Sequence, residues 1–312
     1  MNARNDKLQR LAHIARLYYL EDKKQSEIAE EMGVSRPLIS RMLQEARDLG
    51  IVEIHIHDPN ERGNAILGRL RTVFSLSGGI LVEDQGDDSE INRCLSDGIL
   101  RLLQNLVSKR VGVGWGHLTG ALVSYCDSGK NHSKLAIEHI CPMIGNANVA
   151  IRNYHTNENV RILAERVGAK PHFLYLPAFV ETREERDILF STDLYQQVYH
   201  EWELMDTALV NIGNYPASPD FASVARYGDK LQKQKACGRL IAYYYDENGR
   251  IIESDRDFSI QIPLSLLARC RNVVGLCSAN TSEKALRGAL RTGLFTHLIA
   301  REALVQSILD QK

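Results

Sequence analysis

Ser35-Arg36-Pro37 and Ser40-Arg41 fall within one short stretch whose spacing sets their side chains on the outward face of a helix. A guanidinium presents a planar fork of donors that matches the O6 and N7 acceptors of guanine in a major groove, and hydroxyls and the open N–H groups of a helix start hold phosphate. Pro37 suits that first turn, where N–H groups have no intrahelical acceptor. Gln25, at the head of the preceding helix, completes the candidate set of DNA contacts. The chemistry open to these residues is the reading of double-stranded DNA. The plainer alternative is a helical hairpin with a solvated polar face.

The surrounding residues are those needed to hold such a helix. Ile28 and Met32 lie one turn apart, with Ala29 small enough to let a second helix cross closely. Gly33 suits a left-handed helix end, Val34 anchors the turn and Ser35 is placed to cap the next helix through its hydroxyl. Ile39, Met42 and Leu43 return an apolar stripe to the shared core. Upstream, Leu8, Leu11, Ile14, Ala15 and Tyr18 predict one more helix. Downstream, Leu49-Gly50 is a stop, and residues 51–57 alternate with Val52, Ile54 and Ile56 on one side, as a strand does. Residues 1–57 therefore predict a winged helix-turn-helix. His55, His57 and Asp58 lack a further donor at metal-ligand spacing, so they read as a solvated wing, and no metal site is predicted.

The chain's 38 Lys and Arg against 39 Asp and Glu leave a formal charge of −1, and residues 1–50 carry nine basic against eight acidic side chains. Bulk charge gives DNA binding no support. The basic groups must share one face, and a weak field predicts binding as an oligomer to repeated half-sites.

The 312 residues suffice for this module and one large domain, with the break at Asp58-Pro59-Asn60 and domains 1–57 and 58–312. Beyond it, apolar runs at 79–82, 111–113, 136–140, 173–176, 208–212, 273–276 and 297–299 alternate with helical patterns such as 91–107, 157–167 and 282–290. Such runs, separated by helices, predict an α/β domain with a Rossmann-like, mostly parallel sheet. No run approaches about 18 uninterrupted apolar residues and the polar start MNARNDKLQR is no secretion signal, so a soluble cytoplasmic protein without membrane contact is expected. Cys94, Cys126, Cys141, Cys237, Cys270 and Cys277 form no CxxC pair and read as buried thiols in a reducing compartment.

In a parallel sheet, ligands sit beyond the carboxyl ends of strands. Three loops there carry candidate groups. Residues 112–119 supply Gly114, Gly116, His117 and Thr119, whose glycines let backbone N–H groups approach an oxyanion. Residues 142–148 supply Gly145 and Asn146. In 278–284, Thr281 or Ser282 can cap a helix, and Lys284 in its first turn opposes the helix dipole unless an anion docks. Arg226 and Arg239 are further candidate anion partners. Tight strand-to-helix packing is the alternative for the glycines, and a solvated surface lysine that for Lys284.

The segments QSEIAEEMGVSRPLISRMLQEARDLGIVEI, GVGWG, LAERVGAKPHFLYLPA, DTALVNIG, YYYDENG and KALRGALRTG together resemble the SorC family of bacterial transcriptional regulators nearly end to end. The resemblance implies a winged helix-turn-helix fused to a sugar-binding domain of the glucosamine-phosphate deaminase and ribose-phosphate isomerase type. It also implies a homotetramer whose affinity for operator DNA changes when a sugar or sugar phosphate binds. It places Gly116 and its neighbours, Gly145 with Asn146, the strand from Arg239 to Asp246, and Lys284 in the effector site. Lys24 and Arg239 depart from the family pattern, where a capping Thr and an acidic residue are usual, and SANTSEK lacks the paired glycines usual before the lysine.

The competing class is an enzyme, a sugar-phosphate isomerase or deaminase with an appended DNA-binding module, which needs a carboxylate or His poised for proton transfer. Asp246, Glu253, Asp255 and Asp257 instead fit turns around Asn248-Gly249 and a solvated hairpin, so neither a catalytic residue nor a cofactor is expected. A third class is an architectural DNA binder whose large domain serves assembly alone.

Overall fold

The computed structural model describes residues 3–52, 61–128, 135–216 and 223–311. The chain divides into two compact units, Met1–Pro59 and Asn60–Lys312.

The first unit holds helices α1 (Ala3–Tyr19), α2 (Gln25–Glu31) and α3 (Arg36–Asp48). Leu11, Ile14, Leu17, Ile28, Ala29, Ile39, Leu43 and Ala46 close its core, with Tyr18, Met32, Val34 and Met42 packed around it, while Leu8 of the expected stripe stays exposed. Two turns of helix are marginal in water, so α2 is held by this packing. The Glu27 carboxylate also accepts the Lys24 N–H at 3.0 Å, which serves the helix start where Lys24 offers no capping oxygen. Gly33 takes φ +64° in the turn between α2 and α3. Ser35 stands at the start of α3, yet its hydroxyl makes no capping bond, contrary to the expectation from sequence. The reason is local: Pro37 has no N–H to offer, and the Leu38 N–H already donates to the Ser35 carbonyl at 2.9 Å. Ile51 and Val52 pack on the helices, and the rest of the expected wing, with His55, His57 and Asp58, lies outside the described residues.

The second unit opens with α4 (Glu61–Phe74), β1 (Gly78–Val82), α5 (Asp88–Leu106), β2 (Arg110–Val113), α6 (His117–Asp127), β3 (His139–Pro142), α7 (Thr156–Val167) and β4 (Lys170–Pro171). After α8 (Arg183–Phe190) and α9 (Asp193–Leu204) come β5 (Thr207–Asn214), the short α10 (Ser223–Tyr227) and α11 (Lys230–Lys233), and a ribbon of β6 (Ala236–Leu240), β7 (Tyr243–Asp246) and β8 (Ile251–Ile252). The helices α12 (Leu264–Arg269), α13 (Glu283–Arg291) and α14 (Glu302–Asp310) then frame β9 (Asn272–Leu276) and β10 (His297–Arg301).

The sheet runs β1-β10-β9-β5-β2-β3-β4 with every neighbouring pair parallel, and β6 extends β5 in the antiparallel sense. Val111, Val113, Leu209, Val274, Leu276 and Ile299 enter one core with α5, α6 and α7. Their alternates Ala208, Val210, Ile212, Val273, Leu298 and Ala300 enter a second core with α9, α13 and α14. Burial on both faces is why these strands read as unbroken apolar runs. The chain moves outward from β2 to β3 but the other way from β5 to β9, so the strand order reverses between β2 and β5. At such a reversal the two connections diverge and leave a crevice at the carboxyl ends of the strands.

Two predicted strands differ. Residues 173–176 are not a strand: the side-chain amides of Asn146 and Asn157 donate to the Leu174 carbonyl at 3.0 and 3.2 Å, and Asn157 Oδ1 accepts the Leu174 N–H at 2.9 Å, replacing ladder partners. The expected strand from Arg239 to Asp246 is two strands, because the chain reverses at Ile241 (φ +56°) and Ala242. Trp115 Nε1 donates to the Ile241 carbonyl at 2.9 Å and Gln261 Oε1 accepts the Ala242 N–H at 3.0 Å, which fixes that reversal. All six cysteines are free thiols, and no described helix is long and apolar enough to cross a membrane.

Candidate functional site

A cavity of about 480 Å³ opens at the carboxyl ends of β2, β5 and β9, beside the reversal of strand order. Gly116 and His117 line it from the start of α6, Asn211 and Asn214 from β5, Ser278, Asn280 and Thr281 from the loop after β9, and Arg239 from β6. Trp115, Ile151 and Tyr154 give it an apolar side.

Asn211 organises the centre. It is buried within the run 208–213, whose other residues are apolar, and its Oδ1 accepts the N–H groups of Leu118 and Thr119 at 3.1 and 3.2 Å, while its Nδ2 donates to the Thr119 hydroxyl. A side chain from the neighbouring strand thereby caps α6, whose own N-cap residue, Gly116, has none to give. Gly116 has φ +136°, and a Cβ there would come within 2.8 Å of Asn211 Cγ, so the close approach of strand and helix requires glycine. On the far wall, Asn214 Nδ2 donates to the Asn280 carbonyl and its Oδ1 accepts the Ser282 N–H, both at 2.9 Å, which ties β5 to the loop before α13. Ser282 caps that helix by accepting the Ala285 N–H at 3.3 Å.

Arg239 supplies the cation. It is 7% exposed, and its Nη2 donates to the Tyr154 hydroxyl at 3.2 Å. It pairs in register with Gly213, where a Cβ would lie 3.0 Å from Arg239 Cγ, so the missing side chain makes room for the guanidinium stem. His117 stands at the rim. Partial burial and then the Arg239 charge lower its pKa, which favours a neutral imidazole that can donate from one nitrogen and accept at the other.

Of the ten residues proposed from sequence for the effector, Gly116, His117 and Arg239 line this cavity and the others do not. Gly114 donates to the Leu209 carbonyl at 2.9 Å and serves the packing of β2 on β5. Thr119 is buried as the partner of Asn211. Gly145 packs against the Pro177 carbonyl, where a Cβ would fall at 2.4 Å, and Asn146 holds Leu174. Arg226 is buried against Asp257 at 2.8 Å and lies over the Phe179 ring at 4.0 Å, with Tyr227 donating to the same carboxylate at 2.6 Å. Asp257 is therefore an interior counter-ion, not the solvated turn residue expected. Asp246 accepts the N–H groups of Asn248 and Arg250 at 2.9 and 3.0 Å and shapes a hairpin turn. Lys284 is exposed, 3.4 Å from Glu247, and shares with Asp246 a separate depression beside β7. Tyr154, Asn211, Asn214 and Asn280 escaped the sequence reading. An Asn inside the apolar run ALVNIG was the available signal, since a polar side chain buried in a strand must have a partner.

In the first unit, Ser35, Arg36, Pro37, Ser40 and Arg41 are all exposed on α3 and Gln25 is half-buried at the head of α2. The ion pairs Lys7–Glu45 and Lys23–Glu31 leave both Arg36 and Arg41 out.

A family profile described as "Putative sugar-binding domain" matches residues 59–310. The chain belongs to this sugar-binding domain family. The sorbitol operon regulator of Klebsiella pneumoniae is 26% identical over 316 residues, covering 98% of this chain and 99% of its own. The deoxyribonucleoside regulator of Bacillus subtilis is 24% identical over 301 residues, covering 94% and 95%. The crystal structure of the full-length sorbitol operon regulator SorC from Klebsiella pneumoniae superposes with a TM-score of 0.70 at 24% identity, over 97% of this chain and 98% of that one. The SorC-type resemblance thus spans both units, and the shared fold includes the sugar-binding domain.

Proposed function

We propose that this protein is a sugar-responsive transcriptional regulator of a carbohydrate operon, acting in the cytoplasm as a homo-oligomer, with a tetramer as the state its family resemblance favours. Arg36 and Arg41 reach base edges of duplex DNA, while Gln25, Ser35 and Ser40 hold phosphates beside Pro37. The effector is a sugar or sugar phosphate. The observation that carries this reading is the cavity itself: amides from Asn214 and Asn280, hydroxyls from Ser278 and Thr281, and a buried guanidinium converge where a polyol with an anionic group needs them. Relatives named sorbitol operon regulator and deoxyribonucleoside regulator support the same class of ligand.

An enzymatic reading has less support. Among the described residues that line the cavity none carries a carboxylate, and Asp257, the buried one nearby in sequence to the ribbon, is engaged by Arg226 and Tyr227. Proton abstraction from a sugar carbon needs a base in reach of it, and among the described lining residues that base is His117 at the rim, with no carboxylate in the lining to orient it.

The test is linkage. DNA fragments selected from the genome with the full chain are titrated by fluorescence anisotropy with and without sugars that calorimetry shows to bind. A coupling of about 1 to 3 kcal/mol, or roughly 5- to 150-fold in affinity, is expected. Sugars that bind without changing DNA affinity would remove the switch, and turnover of a sugar phosphate would favour the enzyme.

A further inference from the structure

His139, His172 and Glu201 come from three separate elements, the first residue of β3, the segment just after β4, and α9, and one donor atom of each lies within 4.8 Å of the others. The cluster lies on the edge of the sheet that β3 and β4 form, and none of its three residues lines the sugar cavity. The rings of His139 and His172 stack at 5.2 Å with Nδ1 of one 2.9 Å from Nε2 of the other. The second nitrogen of His172 lies 3.6 Å from Glu201 Oε1, and Glu201 Oε2 accepts from Arg110 Nη1 at 2.7 Å. His172 and Glu201 side chains are only 18% and 13% exposed.

We propose that these three side chains form a binding site for a divalent transition ion of the zinc class, distinct from the effector cavity. Two imidazoles and one carboxylate suit Zn(II), Co(II) or Ni(II), whereas Mg(II) and Ca(II) prefer all-oxygen shells. A tetrahedral zinc with bonds of about 2.1 Å separates its ligand atoms by roughly 3.4 Å, a spacing within reach of small rotations about the side-chain bonds of this cluster. Arg110 acts on the ligand from behind: it keeps one Glu201 oxygen, which orients the other toward the ion, and its positive charge holds the affinity below that of a site with an unshared carboxylate. The fourth position is left to water. Bound there, the ion cross-links β3, the β4 exit and α9, and so closes the exposed edge of the sheet.

The experiment uses the full-length chain, stripped with chelator and dialysed against ZnCl2, with the metal content read by mass spectrometry and the Co(II) form by visible absorption. One zinc per chain and Co(II) bands of four- or five-coordinate nitrogen and oxygen ligation are expected. His139→Gln and His172→Gln, which keep side-chain size and polarity, should each weaken zinc binding at least tenfold while circular dichroism stays that of the parent; Glu201→Gln, which retains an acceptor for Arg110, guards against a folding artefact in either. Zinc binding unchanged in His172→Gln, as would follow if the metal sat on His55 and His57, overturns the proposal, and so does a chain that retains no zinc.

Discussion

Arg239→Met is the most informative single change in the cavity. It removes the guanidinium but keeps an unbranched stem over Tyr154 in the space that Gly213 leaves open. Arg239 is 7% exposed, so its charge acts on a ligand with little screening. Losing one hydrogen bond from a charged donor to a neutral sugar hydroxyl costs about 1.5 kcal/mol, or roughly tenfold in affinity. Losing the buried partner of a phosphate costs on the order of 4 kcal/mol, or about 1,000-fold. Isothermal calorimetry with the free and phosphorylated forms of one hexose separates the two cases. Against a phosphorylated effector the substitution widens the loss by at least about tenfold relative to the free sugar. Equal losses for both forms, or an unaltered affinity for the phosphorylated one, would refute the assignment of Arg239 to an anionic group.

Other outcomes follow from the same physical terms. Arg36→Ala and Arg41→Ala should each weaken operator binding by about 1 to 3 kcal/mol if the side chain reads a base, or lower the salt dependence by about one counterion if it holds a phosphate. Anisotropy titrations at several salt concentrations distinguish these, and no change in either variant would show that α3 is not the reading helix. Asp257→Ala strands the buried Arg226 guanidinium and removes the acceptor of Tyr227, so the thermal midpoint of the second unit should fall by on the order of 10 °C, from a loss of about 3 to 5 kcal/mol. A midpoint within a degree or two of the parent would mean that water rescues the pair. His297 is buried at the start of β10, and burial, with Arg71 nearby, lowers its pKa below the ordinary 6.5. The unfolded chain therefore binds the proton more readily, and the contribution of this neutral imidazole is fully present above about pH 6.5 and declines as the pH falls through that value. Denaturant titrations between pH 7.5 and 5.5 should show this decline, and it should be smaller in His297→Gln.

The pattern of residues by itself determined the elements whose signals are local. Ile28, Ala29, Gly33, Ile39 and Leu43 specify α2, the turn and α3, because helix periodicity, a small residue at a crossing and a left-handed glycine each act within a few positions. The apolar runs at 111–113, 208–212 and 273–276 marked strands buried on both faces, and a cavity opens at their carboxyl ends, where a parallel sheet places its ligands. Tertiary structure alone decided which polar groups meet there. Asn211 caps a helix that begins at His117, 94 positions earlier in the chain, and it can do so because the sheet order sets β5 beside β2. Arg226 and Arg239, equivalent as isolated arginines, part company because one meets Asp257 in the interior and the other faces the cavity. His139, His172 and Glu201 form no motif along the chain, since their proximity is produced by the parallel pairing of β3 with β4 and the packing of α9, contacts that no short-range rule encodes.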